Sequence, residues 1–309
     1  MHPAYSVILF TTASGAGYGL LALLGLAAMS HGQASSLAFG ITAMVIALGL
    51  ITIGLLSSTF HLGHPERAWR ALSQWRSSWL SREGVAAVAT YVPALLFGLI
   101  WTGLVPETTW LTPLAAATAM LAMITVVCTA KIYSTLTTIR AWNNGLTVPV
   151  YVAFALTTGA GLLAAITAVF GNLPGFLLVL ASGLLAATIA LKLAYWNSID
   201  SAPRSLTIED ATGLGRIGQV SQWEVPHTSA NFVQKEMGYA VARKHAAKLR
   251  RLTILLLVAA LIAMLAAFIA KPLALLGCLL AFAAAVVERW LFFAEAQHVV
   301  TLFYGAKTA

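Results

Sequence analysis

An all-α bundle of eight membrane-crossing helices is the fold class this sequence predicts, on three observations. Hydrophobic residues make up 60% of the 309 and charged residues only 9%, whereas soluble domains carry roughly 25% charged. Mean hydropathy is +0.86, more apolar surface than a water-soluble core absorbs. The apolar residues come in runs of about 18–25, the length a helix needs to cross the hydrocarbon of a bilayer.

Taken in order, the predicted spans are Tyr5–Met29, Leu37–Phe60, Gly84–Leu104, Leu111–Tyr133, Leu146–Phe170, Pro174–Trp196, Leu252–Ala270 and Pro272–His298. The first carries Gly15, Gly17, Gly19 and Gly25, small residues that let neighbouring helices approach closely. The third is preceded by Ser81, a predicted N-cap that places Glu83 in the first helical turn at the membrane surface. Lys131 and Lys192 end the fourth and sixth spans and are expected to snorkel to the interface. Glu288, Arg289, Glu295 and His298 end the last. Glu288 and Glu295 are seven apart and share a face; a surface ion-pair network is the expectation, and a cavity wall or proton entry path the alternative. Met1-His2-Pro3-Ala4 lacks the basic start of a cleavable signal peptide. Cys128 and Cys278 both lie in apolar runs and read as small core residues rather than a disulfide.

The connections alternate in character. Ser30–Ser36, Val105–Trp110 and Gly171–Leu173 are short and contain no Lys or Arg. Phe60–Glu83, Ser134–Thr147 and Asn197–Arg251 are longer and polar, and with eight spans both termini share their side. Of the 18 Lys and Arg, Lys271 alone falls on the opposite side. The positive-inside rule then makes the basic face, and both termini, cytoplasmic, in a bacterial inner membrane. The pI near 9.7 therefore reflects topology and anionic lipid, not nucleic acid. Residues 1–309 read as one integral membrane domain; 197–251 is a cytoplasmic loop ending in a basic helical lead-in, Glu236–Arg251. Gly213-Leu214-Gly215-Arg216-Ile217-Gly218 has neither a preceding strand nor the glycine spacing of a dinucleotide fingerprint.

Polar chemistry concentrates between the second and third spans. Phe60–Gly84 holds His61, His64, Glu66, Glu83 and the arginines Arg67, Arg70, Arg76 and Arg82, with Trp69, Trp75 and Trp79 among them. Such groups are costly beside lipid, and their clustering at one surface points to function. A quinone fits them. It needs groups that hydrogen-bond its two carbonyl oxygens, a route for two protons per two electrons, and an apolar tail channel open to lipid. His61 and His64 exchange protons near neutral pH, Arg67 can polarise a carbonyl, Trp79 can wall the ring, and Glu83 can accept or deliver a proton. The bland alternatives are helix capping by His61 and His64, dipole stabilisation by Glu83, and arginines that only enforce orientation. Metal ligation is not expected: there is no CxxC or Cys/His set for an iron–sulfur cluster, and no facing histidine pair for haem.

His61-Leu62-Gly63, Pro65, Arg67-Ala68 and Leu80-Ser81-Arg82-Glu83 resemble the membrane-anchor subunit of the dimethyl sulfoxide reductase family. Ala211-Thr212-Gly213-Leu214-Gly215, Glu224-Val225-Pro226-His227-Thr228 and Glu236-Met237-Gly238 with Ala242-Arg243-Lys244-His245 resemble its quinone-reducing, sulfite-oxidising branch. The resemblance implies a three-subunit oxidoreductase. A molybdopterin catalytic subunit and a partner carrying [4Fe–4S] clusters pass electrons to ubiquinone or menaquinone at His61 or His64, Arg67 and Glu83. A menaquinol-oxidising anchor of a dimethyl sulfoxide or polysulfide-type reductase is the alternative within the class. A secondary transporter is the alternative outside it, for which neither an inverted repeat nor mid-membrane polar groups are expected here.

Overall fold

The computed structural model describes residues 5–62, 64–106, 108–201, 206–224, 229 and 245–304, with the backbone alone at His61. Among these are eight helices long and apolar enough to cross a membrane: α1 Tyr5–His31, α2 Leu37–Ser57, α3 Trp79–Trp101, α4 Leu111–Ser134, α5 Thr147–Val169, α6 Gly175–Asp200, α7 Ala246–Ala266 and α8 Leu273–Ala294. The described residues contain no strand. The all-α class and the span count match the sequence expectation.

The helices overrun their apolar runs at the polar face. α3 begins at Trp79 rather than Gly84, α6 continues past Trp196 to Asp200, and α7 begins at Ala246, so that Lys248, Arg250 and Arg251 lie in its first turns. Hydropathy marks where lipid begins, whereas a helix starts where its orphan N–H groups find a cap. For α3 that cap is Ser78, whose hydroxyl accepts from the Ser81 amide at 3.4 Å, and not Ser81. Of the predicted lead-in Glu236–Arg251, 236–244 lies outside the described residues. Within the long loop, a capping box between Thr207 and Asp210 opens the short helix Ile208–Thr212. Gln222 ties the loop to the Phe303 carbonyl at 2.8 Å.

α1 is the hub of the bundle. Its most apolar stretch is 83% buried, against 28% for α7, and it packs on α2, α4 and α5. α3 pairs with α4, α7 with α8, and α5 bridges to α6 and α8. Outward-facing Ile53, Val88, Val92, Val179, Leu255 and Leu279 are exposed, as suits side chains that meet lipid. The glycines of α1 do what their spacing predicts. A Cβ on Gly17 would stand 2.7 Å from the Ala47 carbonyl of α2, and one on Gly25 2.6 Å from the Ala115 carbonyl of α4. The tightest approach is Gly19 against α5: a Cβ there would strike the Ala155 carbonyl, and one on Gly159 would strike the Gly19 backbone.

Phe10–Ser14 of α1 is a π-helical turn, which the sequence reading did not anticipate. The hydroxyls of Thr11, Thr12 and Ser14 return to the carbonyls of Val7 (2.9 Å), Ile8 (2.8 Å) and Phe10 (2.6 Å). Such back-bonding satisfies polar side chains within an apolar helix, and wide turns of this kind recur at functional positions.

Because the α1–α5 approach is backbone against backbone, Gly159→Val should destabilise the purified protein by about 1–3 kcal/mol or more. Gly183→Val, at a site with nothing within 4 Å of an added Cβ, should leave it unchanged in the same thermal-unfolding measurement in detergent.

Candidate functional site

The polar rim between α2 and α3 is a 3-10 segment, Pro65–Leu72, followed by a turn into α3. Proline at its first position suits a helical start that needs no amide donor. Every side chain from Pro65 to Ser77 is at least partly exposed. The Ser81 hydroxyl donates to the Ala71 carbonyl, and Arg82 donates to the carbonyls of Trp75 (3.0 Å) and Arg76 (2.7 Å). The Arg82 guanidinium also lies 4.3 Å from the centre of the Trp79 ring. One arginine of the predicted cluster thus fastens the loop to the helix.

The predicted site residues fall into two groups. His64 Nδ1 is 3.0 Å from Glu66 Oε1, and Arg67 Nε is 3.7 Å from the same oxygen, all three well exposed. Glu83 lies apart from them in the second turn of α3, 4% exposed, rather than in the first turn at the surface. The early start of α3 is the cause: the helix begins five residues before the expected Gly84, so Glu83 lies beyond its first turn with its carboxyl on the Thr129 hydroxyl of α4. The Thr129 hydroxyl of α4 donates to Glu83 Oε1. Trp79, one turn earlier on the same face of α3, is half-buried. Among the described residues no hydrogen bond or ion pair joins the His64–Glu66–Arg67 group to Glu83. The side chain of His61 lies outside the described residues.

Thr129 also lines a partly enclosed cavity of about 20 Å³, room for a water-sized sphere. Its polar lining comes from Thr11, Thr12 and Ser14 of the π-turn, Thr158 and Tyr151 of α5, and Arg289 of α8. The Arg289 guanidinium sits 3.6 Å from the centre of the Tyr151 ring and is 3% exposed. Its Nε and Nη1, and the Tyr151 hydroxyl, have no hydrogen-bond partner.

Beyond Arg289 lies a buried ion pair. Lys192 Nζ of α6 is 2.5 Å from Glu288 Oε1 of α8, with side-chain exposures of 1% and 0%, and Arg289 Nη2 is 3.5 Å from Glu288 Oε2. The Lys192 ammonium lies 4.1 Å from the Tyr195 ring centre and 4.8 Å from that of Trp196. Two expectations are corrected here. Lys192 does not snorkel, because a carboxylate and two aromatic faces meet it inside the bundle. Glu288 belongs to no surface network, because α8 turns it towards α6. Glu295 does sit at the rim: Arg250 joins it at 2.6 Å and Asp200 at 2.7 Å. Sequence reasoning passed over Thr129, Tyr151 and the π-turn hydroxyls. A signal for the ion pair was present, since Lys192 and Glu288 stand one to three turns inside the ends of two apolar spans on the same side of the membrane, where an acid and a base are least costly when they meet.

The family model for the DMSO reductase anchor subunit (DmsC) matches residues 1–306. The chain belongs to this anchor-subunit family. It is 32% identical to a protein of Allochromatium vinosum that is named as a subunit of sulfite dehydrogenase, over 98% of this chain and 99% of that one. The chain is thus a multi-pass membrane anchor subunit of an oxidoreductase complex. Among its described residues no three His, Cys, Asp or Glu converge as a metal site, and both cysteines are buried and free.

The ion triad of the anchor subunit is asymmetric, and stability measurements should expose it. Glu288→Leu leaves Lys192 and Arg289 as buried cations without a counter-ion and should cost about 3–5 kcal/mol. Lys192→Met should cost clearly less, because Arg289 remains beside Glu288. The double variant should recover part of the Glu288→Leu loss in detergent thermal unfolding.

Proposed function

We propose that this anchor subunit binds a membrane quinone beside Glu83 and passes to it electrons that an iron–sulfur partner receives from a molybdopterin subunit oxidising sulfite. The observation that carries the reading is the placement of Glu83. It is a buried carboxyl near the polar face, held through one oxygen by Thr129, with no hydrogen bond to its other oxygen among the described residues. A carboxyl so placed suits the bound group, because it can hydrogen-bond a carbonyl oxygen and hand over a proton. When bound, a quinone supplies two-electron chemistry that consumes two protons. The protein's part is to orient the ring and to hold a proton at Glu83. The ring position that suits this role is on the Trp79 side of Glu83, where α3 meets the exposed rim and its arginines.

The name of the Allochromatium vinosum relative supports sulfite as the electron source. The arginines of the Phe60–Glu83 connection support a cytoplasmic position for the partner subunits, in the bacterial inner membrane with both termini on that side. A reporter fused to the carboxyl terminus should register as cytoplasmic. A periplasmic signal would favour the menaquinol-oxidising reading instead.

In the assembled complex, Glu83→Gln should lower quinone-coupled turnover by roughly 100-fold or more while sparing dye-coupled turnover of the catalytic partner. Thr129→Val removes one hydrogen bond to the carboxyl and should cost about tenfold. Full quinone-coupled activity in Glu83→Gln would refute the site.

A further inference from the structure

The proton supply to Glu83 is left open by the site alone: the carboxyl is buried, and no hydrogen bond links it to the exposed histidine at position 64. The polar groups on its inner side offer the supply. Glu83 accepts from Thr129, Thr129 lines the cavity together with Tyr151 and Arg289, and the Tyr151 hydroxyl and two nitrogens of Arg289 are without partners. An unpartnered buried hydroxyl or guanidinium nitrogen is costly. A cavity that is polar, admits a water-sized sphere and presents several such groups is the kind that holds ordered water.

We infer that this cavity is hydrated and that its water, held by Arg289 and Tyr151, exchanges protons with Glu83 through Thr129 as a short relay. The inference rests on the quinone reading of Glu83. Water in the cavity accepts from Arg289 and Tyr151 and donates to the Thr129 oxygen, whose own hydrogen points at Glu83. An excess proton on the cavity water moves by hopping along these hydrogen bonds: the water passes one hydrogen to the Thr129 oxygen as Thr129 passes its own to Glu83, so Thr129 is unchanged, the water returns to neutral and the carboxyl gains the proton. Arg289 keeps its charge throughout; it is a positioning residue that anchors the water and faces Glu288 Oε2. Glu288 is the counter-ion that holds Arg289 in place, with Nη2 3.5 Å from its Oε2.

Two measurements on the whole complex test this. The first is a density map fine enough to show water: one is expected within hydrogen-bond distance of Arg289 Nη1 and the Tyr151 hydroxyl, and a dry cavity, or a lipid group filling it, overturns the relay. The second uses Tyr151→Phe, which keeps the ring beneath Arg289, and Thr158→Val, which keeps the shape of the side chain. Both should lower quinone-coupled turnover about tenfold and enlarge its solvent deuterium isotope effect, with quinone affinity and dye-coupled turnover unchanged. Unaltered turnover and isotope effect in both variants overturn the relay. If Glu83→Gln nevertheless abolishes quinone-coupled turnover, the quinone site stands without it. If Glu83→Gln retains full turnover, both readings fall.

Discussion

A charge inside a lipid-embedded bundle has no water to answer it, and that constraint organises the polar half of this molecule. Lys192, Glu288 and Arg289 come from two helices that are far apart in sequence, yet they meet as one buried group. Helical rise places Lys192 roughly 12 Å from the end of α6, Glu288 roughly 9 Å from the end of α8, and Glu83 roughly 6 Å from the start of α3. All three ends belong to the face that carries the long connections. The charged and hydroxyl-bearing side chains therefore form a layer one to three turns beneath a single surface, with the rest of the bundle left apolar.

That layer exists because backbones approach closely above it. Gly19 and Gly159 let α1 and α5 cross with almost no side-chain volume between them. One to two turns towards the polar face from that crossing, the hydroxyls of the α1 π-turn come to face Tyr151 and Thr158 of α5 across the cavity. Packing and chemistry are thus linked through one crossing point. A side chain that pried α1 from α5 would loosen the core and also dissolve the polar lining that joins α4 to α8.

The architecture was legible because lipid imposes long apolar runs, and those runs survive in composition alone. The family resemblance rested on short polar stretches, and the match over residues 1–306 agrees with it. What the runs concealed is what hydropathy does not measure. The helical character of Trp79–Glu83 depends on the Ser78 cap, so Glu83 was expected at the surface and stands in the interior. The direction in which α8 turns Glu288 depends on α6, so a buried ion pair was expected to be a surface one. The π-turn leaves no periodic mark in a helix that is apolar on every side. His64 and Arg67 were grouped with Glu83 by nearness in sequence. In space they gather around Glu66, because three residues on a short exposed turn satisfy one another before they reach a buried carboxyl.

Stability alone does not account for the buried triad. Replacing a buried ion pair by apolar side chains of similar volume is often neutral or stabilising, and lipid-facing helices supply such side chains readily. With Glu83 ionised, the layer holds two cations, Lys192 and Arg289, and two carboxylates. With Glu83 protonated, it holds one cation in excess. Glu288 offsets one of the two cations, so the layer passes between neutral and singly charged as Glu83 loses and gains its proton, and never accumulates two uncompensated charges. The triad has a defined job if Glu83, held by the cavity-lining Thr129, must give up and regain a proton on every turnover.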